Sequence, residues 1–195
     1  MPCLSENLNM SDKFQNKYRI TSSRLQSWDY TQIGAYFITI CTKNRQNYFG
    51  NIIKNKMNYS LIGELAIKFW YDIENRYQNV ELNKFVIMPN HIHGILILKD
   101  INLNNYETGH ALSLQIRENL IGKYRFQNIG KNSISSIVGS FKSAVTKNAN
   151  LLGIEFQWQK RFYDHIIRDE KAFEKIRNYI MNNLTNWKND QFYNF

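Results

Sequence analysis

The fold is decided by one apolar stretch, Lys84-Phe-Val-Ile-Met-Pro-Asn-His-Ile-His-Gly-Ile-Leu-Ile-Leu98. Pro89 and Asn90 divide it, because both residue types favour turns and proline cannot donate a hydrogen bond within a central strand. Side chains on a strand alternate between its two faces, so His91 and His93 should point to the same side. The stretch therefore predicts a strand, a tight turn and a second strand that opens with two imidazoles on one face.

Two imidazoles at this spacing are candidate ligands for one metal ion. Neutral imidazole is a common metal ligand, but it is also a common polar side chain, so the His91/His93 pair by itself fits either role. Its position favours a site, because the run Gly94–Leu98 is apolar on both faces and is typical of a central strand. Polar rings at the end of such a strand, beside a turn, predict a metal site at this edge of the sheet.

The composition indicates one domain with a polyanionic partner. A chain of 195 residues is long enough for a single domain with its own core. It carries 25 Lys and Arg against 16 Asp and Glu, a net charge of +9, and 14% of its residues are aromatic. Nucleic acid is the leading candidate partner for such a chain. The alternative is that the charge of this Asn- and Lys-rich composition is merely solvated.

Cysteine content and hydropathy predict a soluble intracellular protein that acts in the cytoplasm. Cys3 and Cys41 are too few for a disulfide framework or a cysteine-based metal site. The sequence does not open with a basic-then-apolar signal segment, and its apolar runs are far shorter than the roughly 20 residues of a membrane helix.

Hydrophobic periodicity predicts four strands and three helices. The strands are Ala35–Thr42, Val80–Met88, His91–Leu98 and one of uncertain limits within Phe156–Arg168. The helices are Leu61–Tyr77, Ser133–Leu151 and one from Asp169 to about Trp187. The first helix is predicted to bury Leu61, Leu65, Phe69 and Ile73, with Ile62 and Ala66 beside them. This order predicts an α+β fold, a ferredoxin-like (split βαβ) antiparallel four-stranded sheet with helices on one face and an added C-terminal helix.

Two segments lie outside this pattern. Residues 1–17 are polar and lack a period, which predicts a mobile tail before a single domain at 18–195. Residues 99–132 are rich in Asn and lack a strong period, which predicts a long insertion within that domain.

The last helix carries a tyrosine at the edge of its apolar face. Its predicted core stripe consists of Phe173, Ile176, Ile180, Leu184 and Trp187. Tyr179 and Asn183 lie one turn apart at the flank of that stripe. A tyrosine at such a position ordinarily packs its ring and leaves its hydroxyl in water, so Tyr179 alone predicts no chemistry.

Four motifs together resemble a known family. They are Met88-Pro-Asn-His-Ile-His-Gly-Ile-Leu96, Gly139-Ser-Phe-Lys-Ser143, Trp158-Gln-Lys-Arg-Phe-Tyr-Asp-His-Ile-Ile-Arg-Asp169 and Ile176-Arg-Asn-Tyr-Ile-Met-Asn-Asn183. In this order, within about Tyr18 to Trp187, they resemble the REP-associated tyrosine transposases of the single-tyrosine HUH endonuclease superfamily.

The resemblance implies an enzyme mechanism on DNA. His91 and His93 would bind a divalent metal, Mg²⁺ or Mn²⁺, and Asn183 would complete its ligands with an amide oxygen. Tyr179 would attack a phosphate of single-stranded DNA at a hairpin-associated site, giving a 5′-phosphotyrosine and a 3′-OH. The covalent bond would let a later 3′-OH reseal the strand without ATP. Relatives often have proline after this asparagine, whereas Leu184 follows here.

The expected partner is single-stranded or hairpin DNA, not a membrane, and the chain is expected to act as a monomer or a homodimer. Candidate phosphate contacts are Lys142, Lys147, Lys160, Arg161 and Arg168, and Trp158 or Phe162 is a candidate for stacking on an unpaired base. Each of these charges, taken alone, is also compatible with a solvated surface position.

Two other classes of function remain open from the sequence. One is a non-catalytic nucleic-acid-binding module, because ferredoxin-like sheets with exposed aromatics commonly bind RNA. The other is a metal-dependent hydrolase that uses water and forms no covalent intermediate. A covalent adduct with DNA would exclude the first, and its dependence on Tyr179 would exclude the second.

Overall fold

The computed structural model describes residues 13–14, 17–18, 29–100 and 132–193. The predicted tail at 1–17 and the predicted insertion at 99–132 fall almost wholly outside these ranges, so both stay predictions. Within the described part of the tail, Lys13–Phe14 and Lys17–Tyr18 form a short antiparallel pair.

Six longer strands and three α-helices make up the described domain. The strands are β1 (Gly34–Cys41), β2 (Gly50–Ile53), β3 (Lys56–Tyr59), β4 (Val80–Ile87), β5 (His91–Leu98) and β6 (Tyr163–Ile167). The helices are α1 (Leu61–Arg76), α2 (Ile134–Leu151) and α3 (Glu170–Asn182). Within the described residues, none of the helices combines the length and apolar character that crossing a bilayer requires.

The main sheet has the strand order β4-β5-β1-β6, and every neighbouring pair is antiparallel. With α1 between β1 and β4 and α2 between β5 and β6, this is the predicted ferredoxin-like arrangement, so the fold prediction is confirmed. Strand β1 pairs with β5 over its whole length, from Gly34 opposite Leu98 to Cys41 opposite His91. The first imidazole therefore lies beside the residue at which β1 ends.

The sheet is covered on both faces. On one face α1 and α2 pack against one set of alternating strand residues, among them Tyr36, Ile38 and Ile92. On the opposite face α3 packs against the other set, among them Val86 and Ile95. The C-terminal helix therefore covers the face to which the odd-numbered residues of β5 point.

Each α-helix begins at a side chain that accepts a hydrogen bond from a free backbone N–H of its first turn. Ser60 accepts from Gly63, and Asp169 accepts from Ala172 at 2.8 Å. Ser133 accepts from the backbone N–H of Ser136 in the same way. Such caps typically stabilise a helix by about 1 kcal/mol, which explains why the observed helix starts agree with the predicted ones.

The apolar face of α1 is rotated relative to the prediction. Its buried residues are Ile62, Gly63, Ala66, Trp70 and Ile73. Leu61, predicted as the first residue of the core stripe, is 60% exposed, so that assignment is wrong. The fully buried ring of Trp70 lies against Gly94 of β5, and packing this large ring under the sheet turns Leu61 outward.

Two further features differ from the prediction. The sequence does not predict the hairpin of β2 and β3, because apolar and polar residues alternate only weakly along it. Its turn residues Lys54 and Asn55 both have positive φ, yet neither is the glycine that usually marks such a turn. Helix α3 ends at Asn182, about five residues earlier than predicted. The chain then passes through a 3-10 turn at Trp187–Asn189, which lets it fold back over the sheet.

Gly94 should tolerate no side chain. A Cβ at this position would overlap ring atoms of the fully buried Trp70, so Gly94→Ala is expected to destabilise the fold by about 1–3 kcal/mol. The matched control is Gly139→Ala in α2, where a Cβ meets no atom within 4 Å and should stabilise the helix by up to about 1 kcal/mol. Urea unfolding followed by circular dichroism measures both, and equal effects of the two variants would contradict this packing.

Candidate active site at the end of the sheet

The two imidazoles lie on the same face of β5, as the alternation of strand side chains predicts. His91 and His93 are 0% and 2% exposed, and their ring centroids are 4.5 Å apart. Both rings lie on the face that α3 covers, whereas Ile92 between them belongs to the core under α1 and α2. The pair is therefore enclosed between the sheet and the C-terminal part of the chain.

The tautomer of His91 follows from its neighbour. Its Nδ1 lies 2.8 Å from Asn90 Oδ1, and it donates the hydrogen bond because an amide oxygen can only accept. The orientation of the Asn90 amide is set by its Nδ2, which donates to the backbone oxygens of Arg45 and Phe192. Nε2 of His91 consequently carries the lone pair, and this buried atom has no hydrogen-bond partner among the described residues.

His93 joins the sheet to α3. Its Nδ1 lies 2.8 Å from Thr39 Oγ1 on β1, and its Nε2 lies 3.2 Å from Tyr179 Oη. The Tyr179 phenol donates to this nitrogen if the proton of the ring is on Nδ1. Phe37 stacks on the imidazole, with ring centroids 5.2 Å apart. The candidate nucleophile and one candidate metal ligand are thus in direct contact.

Asn183 is directed into the same place. It is 2% exposed, its Nδ2 donates to Asp190 Oδ2 at 3.2 Å, and its Oδ1 is buried without a hydrogen-bond partner among the described residues. Although α3 ends at Asn182, Asn183 continues the helical backbone conformation, so it remains one turn from Tyr179.

Asp190 is a site residue that sequence reasoning missed. One ligand atom from each of His91, His93 and Asp190 lies within 4.8 Å of the others. Asp190 follows the 3-10 turn Trp187–Asn189, which lies beyond the end of α3, so neither a helical nor a strand period relates it to Tyr179. The sequence carries no local signal for it, since only the reversal of the chain brings its carboxylate to the imidazoles.

The residues present fit a divalent cation. They offer two imidazole nitrogens, a carboxylate and an amide oxygen, which together suit divalent ions that accept mixed nitrogen and oxygen ligands. Burying a polar atom without a partner is unfavourable, and the structure contains two such atoms here, His91 Nε2 and Asn183 Oδ1. A bound cation could satisfy both of them.

The last described residues cover the imidazoles. The Phe192 ring centroid lies 4.5 Å from that of His91 and 5.8 Å from that of His93. The Arg45 guanidinium lies over the Phe192 ring, 5.0 Å from its centroid, and Arg45 Nη1 donates a hydrogen bond to the backbone oxygen of Gln191. This packing accounts for the burial of both imidazoles.

Burial sets the protonation states of the site. It lowers the pKa of His93 to about 3 and lowers the pKa of His91 well below its usual value, with further lowering from the His93 and Arg45 charges. Both rings are therefore neutral near pH 7, which is the form that binds metal. Burial raises the pKa of Tyr179, and the Asp190 carboxylate raises it further, so the phenol keeps its proton at neutral pH.

The predicted DNA contacts divide into two groups. Lys142, Lys147 and Trp158 line a cavity of about 650 Å³, and Lys160 lines an adjoining cavity of about 720 Å³ that also includes Trp158. Arg161 and Arg168 are exposed but line neither cavity.

Trp158 contributes to the core as well as to this surface. Its ring is half-buried against Phe49, Phe141 and Phe156. Its indole N–H donates to the backbone oxygen of Lys142 and to Thr146 Oγ1. The ring also lines both cavities, so part of it is left to meet a ligand.

Known proteins resemble this chain in sequence and in fold. No family model matches the sequence. An uncharacterized protein of Haemophilus influenzae (strain ATCC 51907 / DSM 11121 / KW20 / Rd) is 38% identical over 176 residues, which cover 88% of this chain and 92% of that protein. The structure of the REP-associated tyrosine transposase bound to a REP hairpin matches with a TM-score of 0.54 and 18% identity, over 85% of this chain and 74% of that one.

A second structure, from Deinococcus radiodurans R1 and provisionally assigned as a transposase, matches with a TM-score of 0.41 and 13% identity. That match covers 83% of this chain and 97% of the other chain. A score at this level supports no argument, so the fold comparison depends on the hairpin-bound structure alone.

The neutral imidazoles should make stability depend on pH. The unfolded chain protonates them near pH 6.5, so between about pH 6.5 and about pH 3 it binds more protons than the folded chain, and stability falls as pH falls. Urea midpoints measured with EDTA at about pH 7.5 and about pH 5 should show a loss on the order of 1–2 kcal/mol per imidazole.

The double variant His91→Gln/His93→Gln should lose most of this pH dependence. His165→Gln, at an exposed position on β6, is the matched control and should keep it. An unchanged pH dependence in the double variant would contradict the burial of neutral rings.

Proposed function

This chain belongs to the same family as the Haemophilus influenzae relative and has the fold of the REP-associated tyrosine transposases, and we propose that it cleaves and rejoins single-stranded DNA. The observation that carries the proposal is the 3.2 Å contact between Tyr179 Oη and His93 Nε2, which joins residues 86 positions apart. The transposase of known structure is bound to a REP hairpin, which supports a hairpin-associated site as the substrate here.

The proposed cofactor is a divalent metal, Mg²⁺ or Mn²⁺, held by His91, His93 and Asn183. The two buried atoms without partners, His91 Nε2 and Asn183 Oδ1, support this assignment, and Asp190 adds a carboxylate next to them. When bound, the cation would polarise the scissile phosphate and stabilise the negative charge that develops on its oxygens.

Tyr179 is the proposed nucleophile. Its Oη attacks phosphorus, an O–P bond to the tyrosine forms, and the bond from phosphorus to the 3′ oxygen breaks. The products are a 5′-phosphotyrosine and a free 3′-OH. The phenol loses one proton and the 3′ oxygen gains one, so the step is balanced without a co-reactant. Reversal by an incoming 3′-OH would rejoin the strand.

The neighbours of the phenol orient it and provide an acceptor for its proton. The Phe37 ring meets the phenol edge-on, with centroids 6.3 Å apart at 83°, and the next residue, Ile180, anchors α3 in the core. Asp190 Oδ2 lies 3.5 Å from Tyr179 Oη, which makes it an alternative acceptor to His93 Nε2 for the single phenol proton. Burial and this carboxylate both raise the pKa of the phenol, so it stays protonated at neutral pH.

One chain can supply the whole proposed site. The contact between Tyr179 and His93 is within the same chain, as is that between Asn183 and Asp190. A partner subunit is therefore not needed to complete this arrangement, which supports a monomer as the active form.

The test of the function is a covalent adduct. Wild-type protein is incubated with Mn²⁺ and single-stranded hairpin oligonucleotides taken from the DNA that flanks its gene, and the products are separated on a denaturing gel. We expect a protein–DNA adduct in the wild type and none with Tyr179→Phe, which removes the attacking hydroxyl. Tyr163→Phe, an exposed position on β6, is the control that should retain the adduct.

Each other result points to a different function. Cleavage that persists in Tyr179→Phe without an adduct would identify a hydrolase that uses water. Binding of the oligonucleotide without cleavage by the wild type would identify a non-catalytic nucleic-acid-binding module.

The hydrogen bond from His91 to Asn90 should tune the metal affinity. Asn90→Ala removes the acceptor that orients the imidazole, so Mn²⁺ affinity should fall by about 10–100-fold. Isothermal titration calorimetry measures this without DNA or turnover. Asn58→Ala in the exposed hairpin is the control and should bind Mn²⁺ like the wild type. Equal affinity in the two variants would count against His91 as a ligand.

A further inference from the structure

A single groove runs along the end of the sheet at which β1 terminates. Two adjoining cavities, of about 650 and about 720 Å³, share Thr146 and Trp158 and so form one continuous surface, here named the basic groove. The basic residues that line it are Lys43, Arg45, Lys142, Lys147 and Lys160. No Asp or Glu is found among the described residues that line it.

The lysines of the basic groove are not neutralised by carboxylates within the described residues. The ion pairs of the described part of the chain join Arg76 to Asp72, Lys99 to Glu81 and Arg177 to Glu174, and none of these residues lines the groove. Lys43 Nζ instead donates to Gln157 Oε1 at 2.6 Å, and Lys142 Nζ donates to the backbone oxygen of Gln159 at 2.7 Å. Burial lowers the pKa of Lys142. A polyanion in the groove would supply the missing negative charge.

The turn Lys43–Arg45 connects this groove to the candidate active site. Asn44 and Arg45 have φ of 53° and 54°, a left-handed conformation that few non-glycine residues adopt. Lys43 reaches the groove wall at Gln157, whereas the Arg45 guanidinium lies over the Phe192 ring. The Phe192 ring thus contacts both the Arg45 side chain and the His91 imidazole.

From this geometry we propose that the basic groove binds the single-stranded DNA that flanks the scissile phosphate, and that Lys43 and Arg45 guide it to Tyr179. This inference rests on the proposed function. Proteins commonly bind single-stranded nucleic acid irrespective of its sequence in a positively charged groove that follows the sugar–phosphate backbone. A flexible single strand can bend from α2 around the Lys43–Arg45 turn toward the imidazoles. Trp158 lines both cavities along this path and offers an apolar surface to an unpaired base.

The experiment is a salt titration of binding in EDTA, so that no chemistry occurs. Fluorescence anisotropy follows a labelled oligonucleotide, a hairpin with a single-stranded flank, bound to the wild type and to Lys43→Gln/Arg45→Gln/Lys160→Gln. Each lost phosphate contact should reduce the magnitude of the slope of log K against log[salt] by about 0.7. The slope of the triple variant should therefore be smaller in magnitude by about 2, and its affinity at low salt should be more than about 10-fold lower.

Two further variants distinguish the loss of phosphate contacts in the groove from a general loss of positive charge or a loss of packing on Phe192. Lys56→Gln/Lys68→Gln/Lys84→Gln removes the same charge from exposed positions outside the groove and should bind like the wild type. Because Arg45 also contacts Phe192, the double variant Lys43→Gln/Lys160→Gln leaves that packing intact and should still lose about 1.4 in slope.

The outcomes distinguish this inference from the function it builds on. If the groove variants keep wild-type affinity and slope while the wild type forms its Tyr179 adduct, the groove is not the DNA path and the function stands. If the wild type forms no adduct but the groove variants lose binding, the groove stands and the transposase proposal fails. Tighter groove-dependent binding of the matching RNA oligonucleotide would overturn DNA as its ligand.

Discussion

The antiparallel register between β1 and β5 is the constraint on which the rest of the site depends. It runs over all eight pairs of residues, from Gly34 opposite Leu98 to Cys41 opposite His91. A slip of one residue would send both imidazoles into the core beneath α1 and α2 and would expose the apolar residues between them. Ladder hydrogen bonds and core packing on Ile92 therefore hold His91 and His93 on the face that α3 covers.

The second requirement is the early end of α3. A helix continued to Trp187 would carry the chain away from the sheet, whereas the 3-10 turn after Asn186 sends it back. This reversal places Asp190 beside the imidazoles and Phe192 on top of them. The result is an enclosed polar cluster in which some buried atoms have no hydrogen-bond partner among the described residues, an arrangement that favours a ligand able to satisfy them.

Local patterns predicted most of the fold. Strand β5 begins and ends at the predicted residues, directly after the Pro89 turn, and each α-helix begins within one residue of its predicted start. Tyr179 lies in contact with His93, but the roles proposed for both come from the family resemblance and not from a local pattern. The prediction was wrong at Leu61, because a helical period identifies an apolar face only to within about one position and the bulk of Trp70 decides its rotation.

The sequence by itself determined which side chains share a face: His91 with His93 on a strand, and Tyr179 with Asn183 on a helix. These relations depend only on the period of the backbone, which is local. Only the tertiary structure decided that the two faces oppose each other and that Asp190 joins them. The tertiary structure also places the Lys43–Arg45 turn between the basic groove and the imidazoles. Contacts between distant segments follow from chain reversals and from the packing of whole elements, and no short period in the sequence records either.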